Sequence, residues 1–141
     1  MAQLAEFIGN HIFLSMGFIV VLFMFISLSL NDKMQSFNAV NPAQLTQLVN
    51  HKNAILIDVR DEDSFKQGHI VNALNLPLNQ LLTDTKAIEK FKGKPVIAYC
   101  ARGQTSATAC KHLTKQGIET VFNLSGGIGS WVTEKLPLVK S

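Results

Sequence analysis

Three short apolar runs decide what this chain can fold into. "AILIDV" (54–59), "PVIAYC" (95–100) and "TVFNL" (120–124) are continuous rather than alternating; the first closes on Asp58-Val59 and the second on Cys100. Such runs read as strands buried on both faces, which is the habit of a parallel sheet. Two further stretches, "FNAV" (37–40) and "IVNALNLP" (70–77), extend the same pattern. Helical patterns lie between them. In "NPAQLTQLVNHKN", Asn41 suits an N-cap, Pro42 the first helical position, and Leu45, Leu48 and Val49 one face. "DEDSFKQGH" has an acidic start, with Gly68 as its stop. "LNQLLTDTKAIEKFKGK" reads as helical, with Leu81, Leu82, Ile88 and Phe91 pointing inward. "TSATACKHLTKQG" (105–117) is closed by Gly117, and "GGIGSWVTEKL" opens a last helix. Strands alternating with helices through short connections predict an α/β domain, with a mainly parallel five-stranded sheet and helices on both faces.

Upstream of that domain, Ile12 to Leu30 reads "IFLSMGFIVVLFMFISLSL", nineteen residues without a charge. As a helix this is about 28 Å long, close to the hydrocarbon thickness of a bilayer. A buried core helix would be shorter and carry a polar face. A cleaved signal peptide would need a basic start, whereas the first eleven residues contain Glu6 and no Lys or Arg, although Ser27-Leu28-Ser29 imitates a cleavage site. The reading adopted is a retained transmembrane helix. The expected organisation is an arm (1–11), the helix (12–30), a linker (31–36) and a globular domain (37–141). All thirteen Lys and Arg residues follow the apolar segment, against nine acidic residues there, a balance of +4. The positive-inside rule then places the domain in the cytoplasm, on a single-pass protein of a bacterial inner membrane.

Cysteine is scarce. Cys100 and Cys110 do not form a CxxC pair, and no Cys/His cluster has metal-binding periodicity, so neither a disulfide framework nor a structural metal is expected. Cys110 falls at a packing-like spacing inside its helix. Cys100 sits where a strand ends and a loop leads into a helix. There, loop amides and the helix N-terminus favour an anion, hence a thiolate. Arg102 adds a cation and Gly103 gives the loop its conformational freedom. In parallel sheets functional residues gather at strand carboxyl ends, where Asp58, Arg60 and Cys100 all lie.

At this point the chain resembles the rhodanese-like family. "CARGQT" is similar to the family's six-residue active loop, which opens on a catalytic cysteine. "DVR" (58–60), "FKQGHI" (65–70), "NLP" (75–77) and "GGIGSW" (126–131) match further landmarks in order. The likeness covers about residues 37–136. The apolar N-terminal segment together with the closing "LPLV" resembles the membrane-anchored, single-domain bacterial group of that family. The resemblance implies a rhodanese-like fold and a sulfurtransferase. In it, Cys100 takes a sulfane sulfur from a donor such as thiosulfate and passes it to cyanide, a small thiol or a protein thiol. Ala101, Arg102, Gly103, Gln104 and Thr105 would form the anion-binding loop, and Asp58 and Arg60 a supporting pair. No metal or organic cofactor and no nucleic acid is expected. Arg102 occupies the position at which thiosulfate-preferring members carry a cation. Ser106 stands where a related phosphatase would need arginine, which disfavours phosphate.

Two rival functions share this sequence. One is a membrane-anchored adaptor that uses the fold for binding; the other is a persulfide carrier fed by a protein donor. Outside the cysteine loop, His69 reads as a structural histidine, His51 and His112 as solvated, and Phe65 and Trp131 as core anchors.

Overall fold

The computed structural model describes residues 11–33 and 36–141, the side chains of 28–33 excepted. The chain divides after Gln35 into two units. The expected arm, residue 11 apart, and residues 34–35 of the expected linker lie outside the described residues.

The first unit contains helix α1 (Ile12–Lys33), which carries on past the expected end at residue 30 into Asn31, Asp32 and Lys33. From Ile12 to Ile26 its large apolar side chains are 45–88% exposed, on every side of the helix. Among the described residues, however, no helix is long and apolar enough to cross a membrane. The transmembrane helix expected over 12–30 is therefore not supported by this structure.

The second unit runs through β1 (Asn38–Val40), α2 (Pro42–Lys52), β2 (Ile55–Asp58), α3 (Glu62–Gln67), β3 (Leu74–Asn75), α4 (Leu78–Thr83), α5 (Thr85–Glu89), β4 (Val96–Tyr99), α6 (Gln104–Lys115), β5 (Val121–Leu124) and α7 (Gly127–Thr133). The strands form one sheet in the order β1-β5-β4-β2-β3, and every pairing is parallel. Asn41 caps α2 in a reciprocal capping box with Gln44, as the sequence pattern requires. The single helix expected over 78–94 is two short ones. The Asp84 carboxylate accepts from the amide of Ala87 and restarts the chain as α5, since a cap residue competes with helix continuation. Leu81, Ile88 and Phe91 are buried as expected, whereas Leu82 is 40% exposed.

The pleat of β4 sorts the core into two layers. Val96, Ala98 and Cys100 join Leu81, Ile88, Phe91, Ala109, Cys110 and Leu113 on the face covered by α4, α5 and α6. Ile97 and Tyr99 join Leu45, Ile70, Leu124 and Trp131 on the opposite face, covered by α2 and α7. This is the two-sided burial that the unbroken apolar runs imply. It also sends the Cys100 side chain toward the first turn of α6.

Candidate active site

Central strand β4 ends at Tyr99, and the next residue is Cys100, 4% exposed. The loop turns through Gly103 at φ +93, a left-handed conformation that suits glycine, and α6 starts at Gln104 with no side-chain cap. The uncapped amides therefore face Cys100. The Gly103 N–H donates to Cys100 Sγ at 3.0 Å, and the Ser106 hydroxyl lies 3.3 Å from the same sulfur. Burial works against the thiolate. Hydrogen bonds from the Ser106 hydroxyl and from the amides of Ser106, Arg102 and Gly103 outweigh it and hold the thiol below its ordinary range. Ala101, Arg102, Gln104 and Thr105 are exposed along the loop.

The loop is braced from behind by the start of α7. The amide of Ile128 donates to the Cys100 carbonyl at 2.8 Å, and that of Gly129 to the Ala101 carbonyl at 3.2 Å. This approach needs a glycine at 127. A Cβ there would overlap the Cys100 carbonyl oxygen and stand 2.7 Å from the carbonyl carbon and oxygen of Ala101. The "GG" of "GGIGSW" is thus part of the cysteine loop's mounting.

Ser106 and Asn123 belong to the site; the sequence reading used Ser106 only to disfavour phosphate and missed Asn123. Ser106 is fully buried on α6, and its hydroxyl lies 2.6 Å from Asn123 Oδ1 on β5. The Asn123 Nδ2 donates to the Gly103 carbonyl at 3.0 Å. The available signal was the lone polar residue in "VFNL": an amide in a buried strand needs partners.

The supporting pair lies elsewhere. Asp58 is fully buried, and its carboxylate accepts the Arg60 Nε at 3.0 Å and Nη2 at 2.6 Å. Nη2 also reaches the Gly68 carbonyl, at 2.8 Å. The Arg60 guanidinium stands 5.9 Å over the Tyr99 ring. With only 14% of its side chain exposed, Arg60 is no surface partner. The pair ties the β2 end to Gly68 and Tyr99, on the face of the sheet opposite to Cys100. His69 stacks on Phe65 at 3.7 Å and lies 2.9 Å from the Phe65 carbonyl oxygen, a structural role as expected. Trp131 is buried and donates to the Pro137 carbonyl. His112 departs from its expected solvated state. It is half-buried, and its Nε2 is enclosed with no hydrogen-bond partner among the described residues. Cys110 is fully buried in the core, and burial pushes its thiol up to about 12.

With this geometry in view, the rhodanese-like domain family matches residues 41–134, about two thirds of the chain. The chain belongs to that family. The rhodanese-like chain is 31% identical over 141 residues to the uncharacterized protein YibN of Escherichia coli strain K12, covering 99% of both. It is 34% identical over 95 residues to thiosulfate sulfurtransferase GlpE of Coxiella burnetii, covering 67% of this chain and 87% of GlpE. A solved rhodanese-related protein from Thermoplasma volcanium superposes with a TM-score of 0.66 at 30% identity, covering 74% of this chain and all of its own. The rhodanese-like fold expected from the loop and landmarks is thereby established, and the likeness to GlpE supports membership of a sulfurtransferase family.

Proposed function

We propose that the protein is a sulfurtransferase that carries sulfane sulfur as a persulfide on Cys100. The carrying observation is the position of Cys100 Sγ, within hydrogen-bond reach of the Gly103 amide and the Ser106 hydroxyl at the start of α6. In the first half-reaction the thiolate attacks the outer sulfur of thiosulfate. A Cys100–S bond forms, the S–S bond of thiosulfate breaks, and sulfite leaves with its electron pair. In the second, a nucleophile such as cyanide or a thiol takes the outer sulfur and the Cys100 thiolate is restored. This is covalent catalysis, with amides preorganised for the anion. The exposed Arg102 provides a cation at the loop rim for a dianionic donor, and GlpE, named for thiosulfate, supports that donor class. Small or protein thiols are the proposed acceptors.

The test is to incubate the full chain with thiosulfate and weigh it. A gain of one sulfur atom, absent from Cys100→Ser together with thiocyanate formation from cyanide, is expected; no adduct on the unaltered chain overturns the reading.

Attachment to the inner membrane through residues 12–30, with the domain in the cytoplasm, is part of the proposal. It rests on the uncharged run and on the exposed apolar side chains of α1. Recovery of the full chain in the soluble fraction of lysed cells, free of lipid, would remove it.

A further inference from the structure

The Ser106 hydroxyl has one proton and two acceptors within reach, Cys100 Sγ at 3.3 Å and Asn123 Oδ1 at 2.6 Å. Asn123 cannot turn its amide round to relieve this. Its Nδ2 is held by the Gly103 carbonyl, so Oδ1 must face Ser106. With Cys100 protonated, the short contact gives the Ser106 proton to Asn123, and the Ser106 oxygen is free to accept from the thiol S–H. Once that proton has left to solvent, the sulfur carries a full charge, and hydrogen bonds to ionised acceptors are roughly twice as strong as neutral ones.

Building on the sulfurtransferase reading, we propose that Ser106 and Asn123 are positioning residues forming a one-proton switch, in which the Ser106 hydroxyl donates to Asn123 while Cys100 is neutral and to Cys100 Sγ when it is a thiolate. The switch distinguishes the two halves of the sulfur cycle. In the persulfide the charge sits on the outer sulfur, the inner Sγ is a poor acceptor, and the Ser106 proton returns to Asn123. When an acceptor nucleophile takes the outer sulfur, the S–S bond breaks, its electron pair stays on Sγ, and the Ser106 proton swings onto that sulfur. Ser106 thus assists the departure of the Cys100 thiolate at discharge, whereas at loading the same bond is given up. Asn123 provides the resting place for the proton and, through Gly103, keeps the loop amide aimed at Sγ.

The charged surroundings are simple. Arg102 is on the loop itself, and α6 carries Cys110, Lys111, His112 and Lys115. The Cys110 thiol stays neutral through the working range. The facing parts of β5 (VFNL), α4 (LNQLLT) and α7 (GIGSWVT) contain no Asp, Lys, Arg, His or Glu; α5, on the same face, carries Lys86 and Glu89, and the Asp58–Arg60 pair lies across the sheet.

The experiment follows the pH dependence of Cys100 alkylation by iodoacetamide in the full chain, resolved by peptide mass so that Cys110 is counted separately. Ser106→Ala is expected to raise the midpoint by about one pH unit, the size of one lost hydrogen bond to a charged sulfur. Asn123→Ala is expected to lower it, because the hydroxyl is released to the thiolate. In Ser106→Ala/Asn123→Ala the midpoint should not fall below that of Ser106→Ala alone, because the lowering needs the hydroxyl. A lowering by Asn123→Ala that persists without Ser106, or an unmoved midpoint in Ser106→Ala, overturns the switch. If Ser106→Ala fails to fold, the unaltered chain decides: the Asn123 side-chain carbonyl 13C resonance should titrate with the Cys100 midpoint, and a flat resonance overturns the switch. Discharge of preloaded chain by cyanide should be slowed about threefold in Ser106→Ala, while loading above both midpoints is not slowed. A chain that never loads with sulfur sinks the sulfurtransferase reading alone, because the alkylation series still tests the hydroxyl's two positions.

Discussion

Gly127 packs flush against the backbone of Cys100: a Cβ on residue 127 would overlap the Cys100 carbonyl oxygen, on a backbone already at φ +59. The helix that braces the cysteine loop approaches it through the absence of one side chain. Gly127→Ala is therefore expected to cost about 3 kcal/mol or more in chemical denaturation and to abolish sulfur transfer. Gly93→Ala is the control. Gly93 has φ +80 but nothing within 4 Å of the added atom, so only the backbone penalty of about 1–2 kcal/mol applies. Equal losses in the two variants would refute the close-approach account.

The two cysteines should separate cleanly by pH. The hydrogen bonds around Cys100 hold its thiol below the ordinary range, and burial pushes that of Cys110 up to about 12. At neutral pH iodoacetamide should label Cys100 and spare Cys110, with a Cys100 rate that rises through a midpoint below that of a free thiol.

Stability should follow the same two shifts with opposite signs. A depressed folded pKa stabilises above the unfolded thiol value, and that contribution is lost as pH falls through the folded pKa. A raised one stabilises fully below the unfolded value and is lost as pH rises toward about 12. Denaturation series from neutral to alkaline pH should show Cys100→Ser losing stability more steeply than the unaltered chain, and Cys110→Ala less steeply. The reverse order would contradict both assignments.

Arg60→Ala leaves the fully buried Asp58 carboxylate without its guanidinium, at an expected cost of about 3 kcal/mol. Arg60→Lys should recover only part of this, because an ammonium cannot repeat the fork that spans Asp58 and the Gly68 carbonyl. Sulfur transfer per folded molecule should change little, since the pair lies on the other face of the sheet from Cys100. A large fall in kcat at unchanged stability would place Arg60 in the chemistry instead.

On the exposed loop, Arg102→Ala should raise KM for thiosulfate about tenfold while leaving the fold intact, the expected size of one charge-assisted contact. An unchanged KM would remove Arg102 from donor binding.

The strands, the cap at Asn41, the stop at Gly68 and the place of Cys100 at a strand's carboxyl end were all legible from sequence, because each depends on neighbours a few residues away. The apolar runs around Ile57 and Ile97 carry their two-sided burial in their composition, and "CARGQT" carries its own turn. Tertiary structure alone decided the rest. Ser106 meets Asn123 only because β5 lies beside β4, a pairing that no local pattern encodes. Gly127 reaches the Cys100 carbonyl only because α7 starts at the end of that same β5. The Arg60 guanidinium finds its partners only where the β2 end, Gly68 and Tyr99 close around it. Local chemistry determined which cysteine would stand at the strand end and open the loop. Contacts between segments distant in the chain determined which groups surround its sulfur and brace its loop, since sheet order and helix packing bring together side chains whose spacing along the chain carries no period.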